Sequence, residues 1–298
     1  MSTDNMVGRT VAGYHLAQYI GEGGTATVYK AEHPQKGAAA VKILRQRLAQ
    51  DPIAVKRFLR EAEYGSRVRH PNIVQTYDYG QADGLHYLAL EWAQGEPLAE
   101  FVSRSGKLAP MLVATIVDQL GGALAAAHKA GIIHRDLKPA NIMYDPAEQR
   151  ARLLDFGIAR DSELNPEERL TRAGFFVGTL QYVAPETLSG ELVSEQADVY
   201  SLATIAYYLM TQEHPFAGKS PRELFQQLLT QAPIPLNQAV KGLRFPPQIE
   251  AAVMGGLDRD LSKRFKTVDE FARAFCTAVR SEPKKGGFLS GLFGKGRE

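Results

Sequence analysis

Hydrophobic and polar residues alternate along the first third of the chain in a way that is typical of antiparallel strands. Short segments rich in β-branched and aromatic residues lie between Tyr14 and Trp92, separated by glycine or polar turns. They read HLAQYI, TATVYKAE, AAAVKIL, IVQTYDYG and LHYLALEW. One segment, Pro52 to Val68, instead spaces its apolar residues at helical intervals among Arg and Glu. The pattern therefore predicts a sheet that carries one amphipathic helix.

The pattern becomes helical after about residue 97. Segments such as Leu108 to Lys129 and Asp198 to Gln212 repeat apolar residues with helical periodicity, and hairpin strands are predicted only around residues 142–154. A small β-rich lobe therefore precedes a larger helical lobe. The predicted divisions are an N-terminal extension at 1–13, a first lobe at 14–92, a second lobe at 93–280 and a flexible, basic, glycine-rich tail at 281–298.

Composition and charge indicate a globular chain and argue against binding to nucleic acid or a membrane through net charge. With 298 residues, 44% of them hydrophobic, the chain can bury a large core. It has 35 Lys and Arg against 33 Asp and Glu, and four of those cations but only two of the acids fall after residue 280. Residues 1–280 therefore sum to zero charge, so no global field is expected to recruit nucleic acid or a membrane.

Redox and membrane signals are also weak. The single cysteine, Cys276, lies beside Phe275 and three residues before Val279, a spacing that places it on the apolar face of a helix. It is predicted to be a core thiol, and one cysteine supports neither a disulfide framework nor a zinc cluster. The longest apolar run, Val199 to Met210, is shorter than the roughly 20 residues of a membrane span, and the N-terminal MSTDN lacks signal-peptide features. We expect no membrane span and a cytoplasmic location.

Two stretches of the first lobe suggest phosphate binding. In IGEGGTATVYK, Gly21, Gly23 and Gly24 allow the backbone to approach a phosphate, although such clusters are also ordinary turns. The strand-like residues that follow favour a strand–turn–strand flap over a dinucleotide fold, which requires a helix there. In AAAVKIL, Lys42 is either a snorkelling edge residue or a phosphate ligand paired with a carboxylate, for which Glu61 is the candidate.

The densest polar chemistry is the stretch HRDLKPAN, residues 134–141. Asp136 could accept a proton from a hydroxyl, Lys138 could neutralise a phosphoryl group, and Asn141 could offer an oxygen to a hard cation. Asp155 follows fourteen residues later at the end of an apolar strand. Each residue alone could belong to a solvated loop, but phosphoryl transfer requires the whole set.

In their order along the chain, these motifs resemble a known enzyme family. GEGGTATV, AVK, HPNIV, HRDLKPAN, DFG, GT…APE and DVYSLA are similar to motifs of eukaryotic-type (Hanks-type) serine/threonine protein kinases, particularly bacterial members, over about residues 14–280. The resemblance implies an α+β, bilobal protein-kinase-like fold, with a small β-rich N-lobe containing one regulatory helix and a larger α-helical C-lobe. It also implies ATP as the phosphate donor, Mg²⁺ or alternatively Mn²⁺ as the metal, and proteins as substrates.

The resemblance assigns roles to particular residues. Lys42 would bind the α and β phosphates and pair with Glu61, Asp136 would be the catalytic base assisted by Lys138, and Asn141 and Asp155 would hold the metal. His134 and Phe156 would be structural, as would a pair between Glu186 and Arg264. The nucleotide pocket would consist of flap residues Gly21, Glu22, Gly23 and Gly24, adenine-sandwiching residues Val28, Ala40 and Met143, gatekeeper Leu90, and the hinge backbone at Glu91 and Ala93.

Two positions depart from the family pattern. Ala26 replaces the third flap glycine and should permit phosphate contact if its φ stays negative. Gly65 stands four residues after Glu61, where similar kinases have an apolar residue, and a glycine inside a helix lowers stability by about 1 kcal/mol relative to alanine. We therefore expect a loosely held helix that depends on homodimerisation or phosphorylation to keep Glu61 near Lys42.

The resemblance also indicates substrate class and regulation. Lys138 and Thr179 resemble the serine/threonine type rather than the tyrosine type. Thr171 is the expected autophosphorylation site, with Ser162 as an alternative or no site at all, and Arg135 and Arg160 would grip the phosphate.

The tail is basic and partly apolar. Phe288, Leu289, Leu292 and Phe293 would share one helical face, which suits a partner groove or a membrane surface, but five glycines from Gly286 to Gly296 favour a flexible end.

Two other function classes stay open beside an active protein kinase. The first is an ATP-gated regulatory pseudokinase, which would be expected to lack Lys42, Asp136 or Asp155. The second is a small-molecule phosphotransferase, which would lack the substrate platform formed by Thr179 and the APE motif.

Overall fold

The computed structural model describes residues 6–154, 180–189 and 193–281, and its N-terminal part is a six-stranded sheet. The strands are β1 (Thr10–Val11), β2 (Tyr14–Glu22), β3 (Ala26–His33), β4 (Gly37–Leu44), β5 (Thr76–Ala82) and β6 (Leu85–Glu91). They lie in the order β1-β2-β3-β4-β6-β5, and all neighbouring pairs are antiparallel. This confirms the predicted antiparallel sheet. Strand β1 lies within residues 1–13, which were predicted as an extension outside the first lobe. Val11 is buried and pairs with Tyr14, so this segment is part of the sheet.

One amphipathic helix packs against this sheet, as predicted. It is α2 (Pro52–Arg67), preceded by the short α1 (Gln46–Ala49). The Asp51 carboxylate accepts a hydrogen bond from the Ile53 N–H at 2.9 Å, and Pro52 occupies the first turn, which are both typical helix-start features. Phe58 and Ala62 are buried against the sheet, so the apolar face of α2 fixes its position.

The remaining described residues are mainly helical. The helices are α3 (Leu98–Ser105), α4 (Pro110–Lys129), α5 (Pro185–Ser189), α6 (Gln196–Thr211), α7 (Pro221–Thr230), α8 (Pro247–Gly256) and α9 (Val268–Arg280). On α9 the buried thiol of Cys276 donates to the Ala114 carbonyl at 3.3 Å, and burial raises its pKa to about 11. Cys276 is therefore a core thiol, as predicted.

The helix α4 is long and apolar enough, by length and composition, to cross a membrane. Residues 108–129 were predicted as a helix but not as a possible membrane span, because residues 199–210 were counted as the longest apolar run. In the structure 56% of the apolar window of α4 is buried, and the helix packs against α6 and α9. The core helix of a globular domain meets the same criterion.

A second, three-stranded sheet joins the two parts of the molecule. It consists of β7 (Glu96–Pro97), β8 (Ile142–Asp145) and β9 (Arg150–Leu153), and the last two form the hairpin predicted around 142–154. The loop after α2 is hydrogen-bonded to β9: the Leu153 N–H donates to Asn72 O at 2.9 Å, and Asn72 Nδ2 donates to Ala151 O at 2.8 Å. The HPNIV motif thus attaches the sheet lobe to the strand that leads towards Asp155.

Candidate active site

The inner face of the six-stranded sheet forms the upper wall of the site. Val28 pairs with Lys42, Ala40 pairs with Leu90, and cross-strand partners lie on the same face of a sheet. Residues of the opposite face, such as Val41 and Tyr29, are buried in a separate apolar cluster. The alternation along β4 and these pairings therefore place Lys42, Val28, Ala40 and Leu90 on one face of the sheet.

The structure brings Lys42 and Glu61 together. Lys42 Nζ lies 3.8 Å from Glu61 Oε1, and the two side chains are 17% and 24% exposed. Phe58 and Ala62 anchor the helix to the sheet. The helix holds Glu61 near Lys42 in the structure, and the dependence of this position on homodimerisation or phosphorylation stays a prediction. Gly65 is buried on the same face of α2, which docks despite the missing side chain.

A buried carboxylate shapes the backbone of the HRD stretch. Asp198, at the start of α6 and fully buried, accepts hydrogen bonds from the His134 N–H at 2.8 Å and the Arg135 N–H at 3.0 Å. His128 Nε2 lies 2.8 Å from the same carboxylate. Burial opposes ionisation of Asp198, but these hydrogen bonds and the neighbouring imidazoles outweigh it and lower its pKa. With Asp198 as its acceptor, Arg135 is held at a φ of +64°, a conformation that L-residues rarely adopt.

Asp136, Lys138 and Asn141 converge around one carboxylate. Lys138 Nζ lies 3.1 Å from Asp136 Oδ2, and Asn141 Nδ2 donates to Asp136 Oδ2 at 3.0 Å and to the Asp136 carbonyl at 2.9 Å. A short 3-10 turn, Pro139–Asn141, folds the asparagine back onto the aspartate. The carboxylate is thus oriented by a cation and an amide, as a proton acceptor next to a transferred phosphoryl group would need to be.

Asn141 also fits a metal-ligand role. Because its Nδ2 is turned to Asp136, its Oδ1 is the end of the amide that faces away, and amide oxygens suit Mg²⁺. Asp155 lies outside the described residues, but the N–H of the preceding Leu154 donates to the Asn141 carbonyl at 3.0 Å. In the described part of the chain no group of three or more His, Cys, Asp or Glu could hold a metal alone. The free Oδ1 of Asn141 suits a cation such as Mg²⁺, which takes oxygen ligands and takes several of them from water and phosphate.

Four of the adenine-pocket candidates share one apolar cluster. Ala40, Leu90, Ala93 and Met143 pack together with Leu88 and Leu154, and the cluster extends to α2. On the outer side of the hinge, the Glu91 carboxylate pairs with Arg152 on β9 and lies near the Gln75 N–H. Burial alone would raise the pKa of Glu91, but the Arg152 contact dominates and lowers it. The hinge is thus fixed to the second sheet by a charged carboxylate.

Gly95, just beyond the hinge, cannot be replaced without strain. Its φ is +97°, and an added Cβ would lie 2.1 Å from the Tyr144 carbonyl oxygen. We expect Gly95→Ala to lower the free energy of unfolding by about 2 kcal/mol or more, because both the backbone conformation and the contact are unfavourable. Gly84→Ala is the matched control, since Gly84, in the turn between β5 and β6, has a φ of +76° but nothing within 4 Å of an added Cβ. Urea denaturation of both variants should show the larger loss for Gly95→Ala; equal losses would contradict a role for the Tyr144 contact.

The glycines of the flap do not adopt the positive φ values that favour glycine over other residues. Gly21, Gly23 and Gly24 all lack a positive φ, and a Cβ at Gly21 or Gly24 would meet nothing within 4 Å. Ala26 also lacks a positive φ, which meets the condition set for its replacing a glycine. The space beside the flap backbone is therefore left open, as a closely approaching phosphate requires.

The predicted structural pair below the site is present. Arg264 Nη1 lies 2.6 Å from Glu186 Oε1, and Nη2 lies 3.1 Å from Oε2, with the side chains 0% and 4% exposed. The guanidinium also donates to the Asp258 and Gln196 carbonyls. This bidentate pair attaches α5, and with it the APE segment, to the helical lobe.

Several sequence predictions fall outside the described residues and stay predictions. They concern Asp155, Phe156, Arg160, Ser162, Thr171, Thr179 and the tail at 282–298. Conversely, the sequence analysis assigned no role to Asp198 or His128. The DVYSLA motif contains Asp198, but no local pattern indicates that its carboxylate holds a loop more than 60 residues away.

Comparisons with known proteins agree with this geometry. The family model described as protein kinase domain matches residues 14–276. The serine/threonine-protein kinase pkn3 of Myxococcus xanthus is 37% identical over 290 residues, covering 95% of this chain and 53% of that protein. The serine/threonine-protein kinase PknH of Mycobacterium bovis is 35% identical, covering 94% of this chain and 46% of that protein. The chain thus spans about half the length of these curated relatives.

Solved structures show the same fold. The kinase domain of Mycobacterium tuberculosis PknI aligns with a TM-score of 0.70 at 30% identity, covering 91% of this chain and 98% of that one. Rad53 residues 1–466 in complex with AMP-PNP aligns with a TM-score of 0.72 at 26% identity, covering 90% of this chain and 67% of that one. The described sheet and helices are therefore the two lobes of a kinase fold, and this chain belongs to the protein kinase domain family.

Proposed function

We propose that this chain is a serine/threonine protein kinase that transfers the γ-phosphoryl group of ATP to Ser and Thr hydroxyls of proteins. The observation that carries the proposal is the Asp136 carboxylate, held by Lys138 at 3.1 Å and Asn141 at 3.0 Å. Relatives named serine/threonine-protein kinases and the AMP-PNP complex of Rad53 support the reaction class and the nucleotide.

The proposed reaction uses these residues in distinct roles. The substrate oxygen forms a bond to the γ-phosphorus, the bond from that phosphorus to the β,γ-bridging oxygen breaks, and ADP leaves. The hydroxyl proton passes to Asp136, while Lys138 offsets charge on the transferred group and Lys42, paired with Glu61, positions the α and β phosphates. A bound Mg²⁺, or alternatively Mn²⁺, held by Asn141 and Asp155, would neutralise phosphate charge.

The two alternative functions receive less support. A regulatory pseudokinase would not need the oriented Asp136 carboxylate, and a small-molecule phosphotransferase would not need the buried Glu186–Arg264 pair below the APE segment. We retain the division between the two lobes after residue 92 and a second lobe at 93–280. A cytoplasmic location, protein substrates and homodimerisation are also parts of this proposal. A role for nucleic acid has no support from the charge balance.

Regulation by phosphorylation of Thr171 is also part of the proposal. Arg135 follows the buried His134 and has a buried Nε without a hydrogen-bond partner among the described residues. A phosphothreonine carries close to two negative charges and could supply that partner, together with Arg160. Ser162 is the alternative site, and Thr179 would contribute to the substrate platform.

The test is self-phosphorylation. Purified chain is incubated with γ-labelled ATP and Mg²⁺ beside Thr171→Ala, and phosphate is mapped by mass spectrometry. We expect label on Thr171 in the wild type, and slower phosphorylation of a generic acceptor protein by the variant. Label on Ser162 alone would reassign the switch, and no transfer to any protein despite ATP binding would contradict the proposed function.

A further inference from the structure

Two arginines that follow β4 hold the backbone of the glycine flap. Arg45 Nη2 lies 2.7 Å from Glu22 Oε1, and Arg45 Nη1 donates to the Gly23 carbonyl at 3.2 Å. The Arg45 N–H donates to the Thr25 carbonyl at 3.0 Å, and Arg47 Nη2 donates to the Gly24 carbonyl at 3.3 Å. Three consecutive flap carbonyls therefore accept hydrogen bonds from one short segment.

These contacts fix the direction of the amides at the tip. In a trans peptide the carbonyl and the following N–H point in opposite directions. Because the Gly23 and Gly24 carbonyls face the guanidinium groups, the N–H groups of Gly24 and Thr25 face away from them. The Gly23 N–H is already bonded to Ala26 O at 2.8 Å, whereas those of Gly24 and Thr25 have no backbone partner in the described part of the chain. The tip thus presents two oriented donors.

We propose that Arg45 and Arg47 are positioning residues that direct the Gly24 and Thr25 N–H groups towards the phosphates of the nucleotide. Glycine lets the backbone approach a phosphate but increases the conformational freedom that binding must remove. Hydrogen bonds that orient the carbonyls before binding reduce that loss. The inference rests on the proposed function, because it assumes that the flap binds a nucleotide.

The competing explanation is that these arginines contact the phosphates directly. Substitution of Glu22 distinguishes this explanation from a positioning role. If Arg45 bound phosphate itself, Glu22→Gln would remove a competing carboxylate and strengthen ATP binding. If Arg45 acts through the backbone, Glu22→Gln releases one anchor of its guanidinium and weakens ATP binding. The two roles therefore predict changes of opposite sign.

The experiment compares nucleotide affinities by calorimetry on the full chain. Arg45→Gln/Arg47→Gln and Glu22→Gln are titrated with ATP and with adenosine, which lacks phosphates. We expect the double variant to bind ATP about 5- to 10-fold more weakly, from the loss of two or more hydrogen bonds, and Glu22→Gln to show a smaller loss. Adenosine affinity should stay within about twofold of wild type, since the contacts involve only the flap.

Controls separate this inference from folding and from the proposed function. Arg222→Gln, at an exposed position on α7, should leave both affinities unchanged, and thermal melts without nucleotide should match for all variants. Unchanged ATP affinity in the double variant, an equal loss for adenosine, or tighter ATP binding by Glu22→Gln would overturn the inference alone. A wild-type chain that binds no ATP would overturn the proposed function and the inference together.

Discussion

Replacement of Asp136 by asparagine is expected to reduce the rate of phosphoryl transfer about 10²- to 10⁴-fold, the range found for a lost general base. Asparagine has nearly the same shape and can still accept a hydrogen bond from Lys138, so the surrounding loop should keep its geometry. What is lost is the negative charge that receives the hydroxyl proton. The affinity for ATP should change by no more than a few fold, because Asp136 lies on the substrate side of the phosphates in the proposed reaction.

The measurement combines the rate of phosphoryl transfer with the affinity for ATP. Initial rates with labelled ATP and an acceptor protein give the transfer rate. The affinity is followed by the fluorescence of Trp92, which is the single tryptophan and lies in the hinge between Glu91 and Ala93. Asp83→Asn, the same chemical change in the exposed turn between β5 and β6, is the control. If Asp136→Asn retained more than a tenth of the wild-type rate, Asp136 would not be the base.

Local patterns predicted the strands that form the upper wall of the candidate active site. Alternation along β3 and β4 was sufficient to predict strands, and one cation in an otherwise apolar strand was sufficient to indicate a carboxylate partner for Lys42. The structure provides Glu61 at 3.8 Å. The reason is physical: an unpaired ammonium is unfavourable away from water, so Lys42 in an apolar strand needs either an anionic partner or a route to water, and Glu61 was the candidate partner.

The parts that sequence reasoning missed depend on tertiary contacts. Asp198, on α6, accepts hydrogen bonds from the backbone of His134 and Arg135. Nothing in the residues around Asp198 distinguishes this role from that of a solvent-exposed acidic residue in the first turn of a helix. Arg45 likewise reads as an ordinary charged residue after a strand, although it contacts Glu22 and Gly23 in the flap. Such contacts join distant segments and leave no periodic signal.

The helix α2 shows how tertiary packing can offset a weak local propensity. A glycine inside a helix lowers its intrinsic stability by about 1 kcal/mol, so Gly65 by itself predicts loose docking. Helices in proteins are stabilised mainly by tertiary packing of their apolar face. Phe58 and Ala62 supply that packing, so the helix is docked and the Lys42–Glu61 pair forms within one chain.

Replacement of Arg264 by methionine is expected to lower the free energy of unfolding by about 3 to 5 kcal/mol, the range for breaking a buried ion pair from one side. Methionine fills much of the same volume, but it leaves the buried Glu186 carboxylate without its bidentate partner. It also removes the donors to the Asp258 and Gln196 carbonyls and the contact of the guanidinium with the Tyr200 ring. Denaturation midpoints in urea, followed by circular dichroism of the helices, measure the loss.

Two further variants show whether the loss of the Glu186–Arg264 ion pair is the cause. Arg280→Met removes an arginine whose side chain is 59% exposed and lies 3.7 Å from Asp118, so it should change the unfolding free energy by less than about 1 kcal/mol. In Glu186→Gln/Arg264→Met the buried charge is gone, and part of the lost stability should return, because an uncharged amide is less unfavourable away from water than a carboxylate that has lost its guanidinium partner. A double variant no more stable than Arg264→Met would mean that the carbonyl and aromatic contacts of Arg264, rather than its pairing with Glu186, hold the APE segment on the helical lobe.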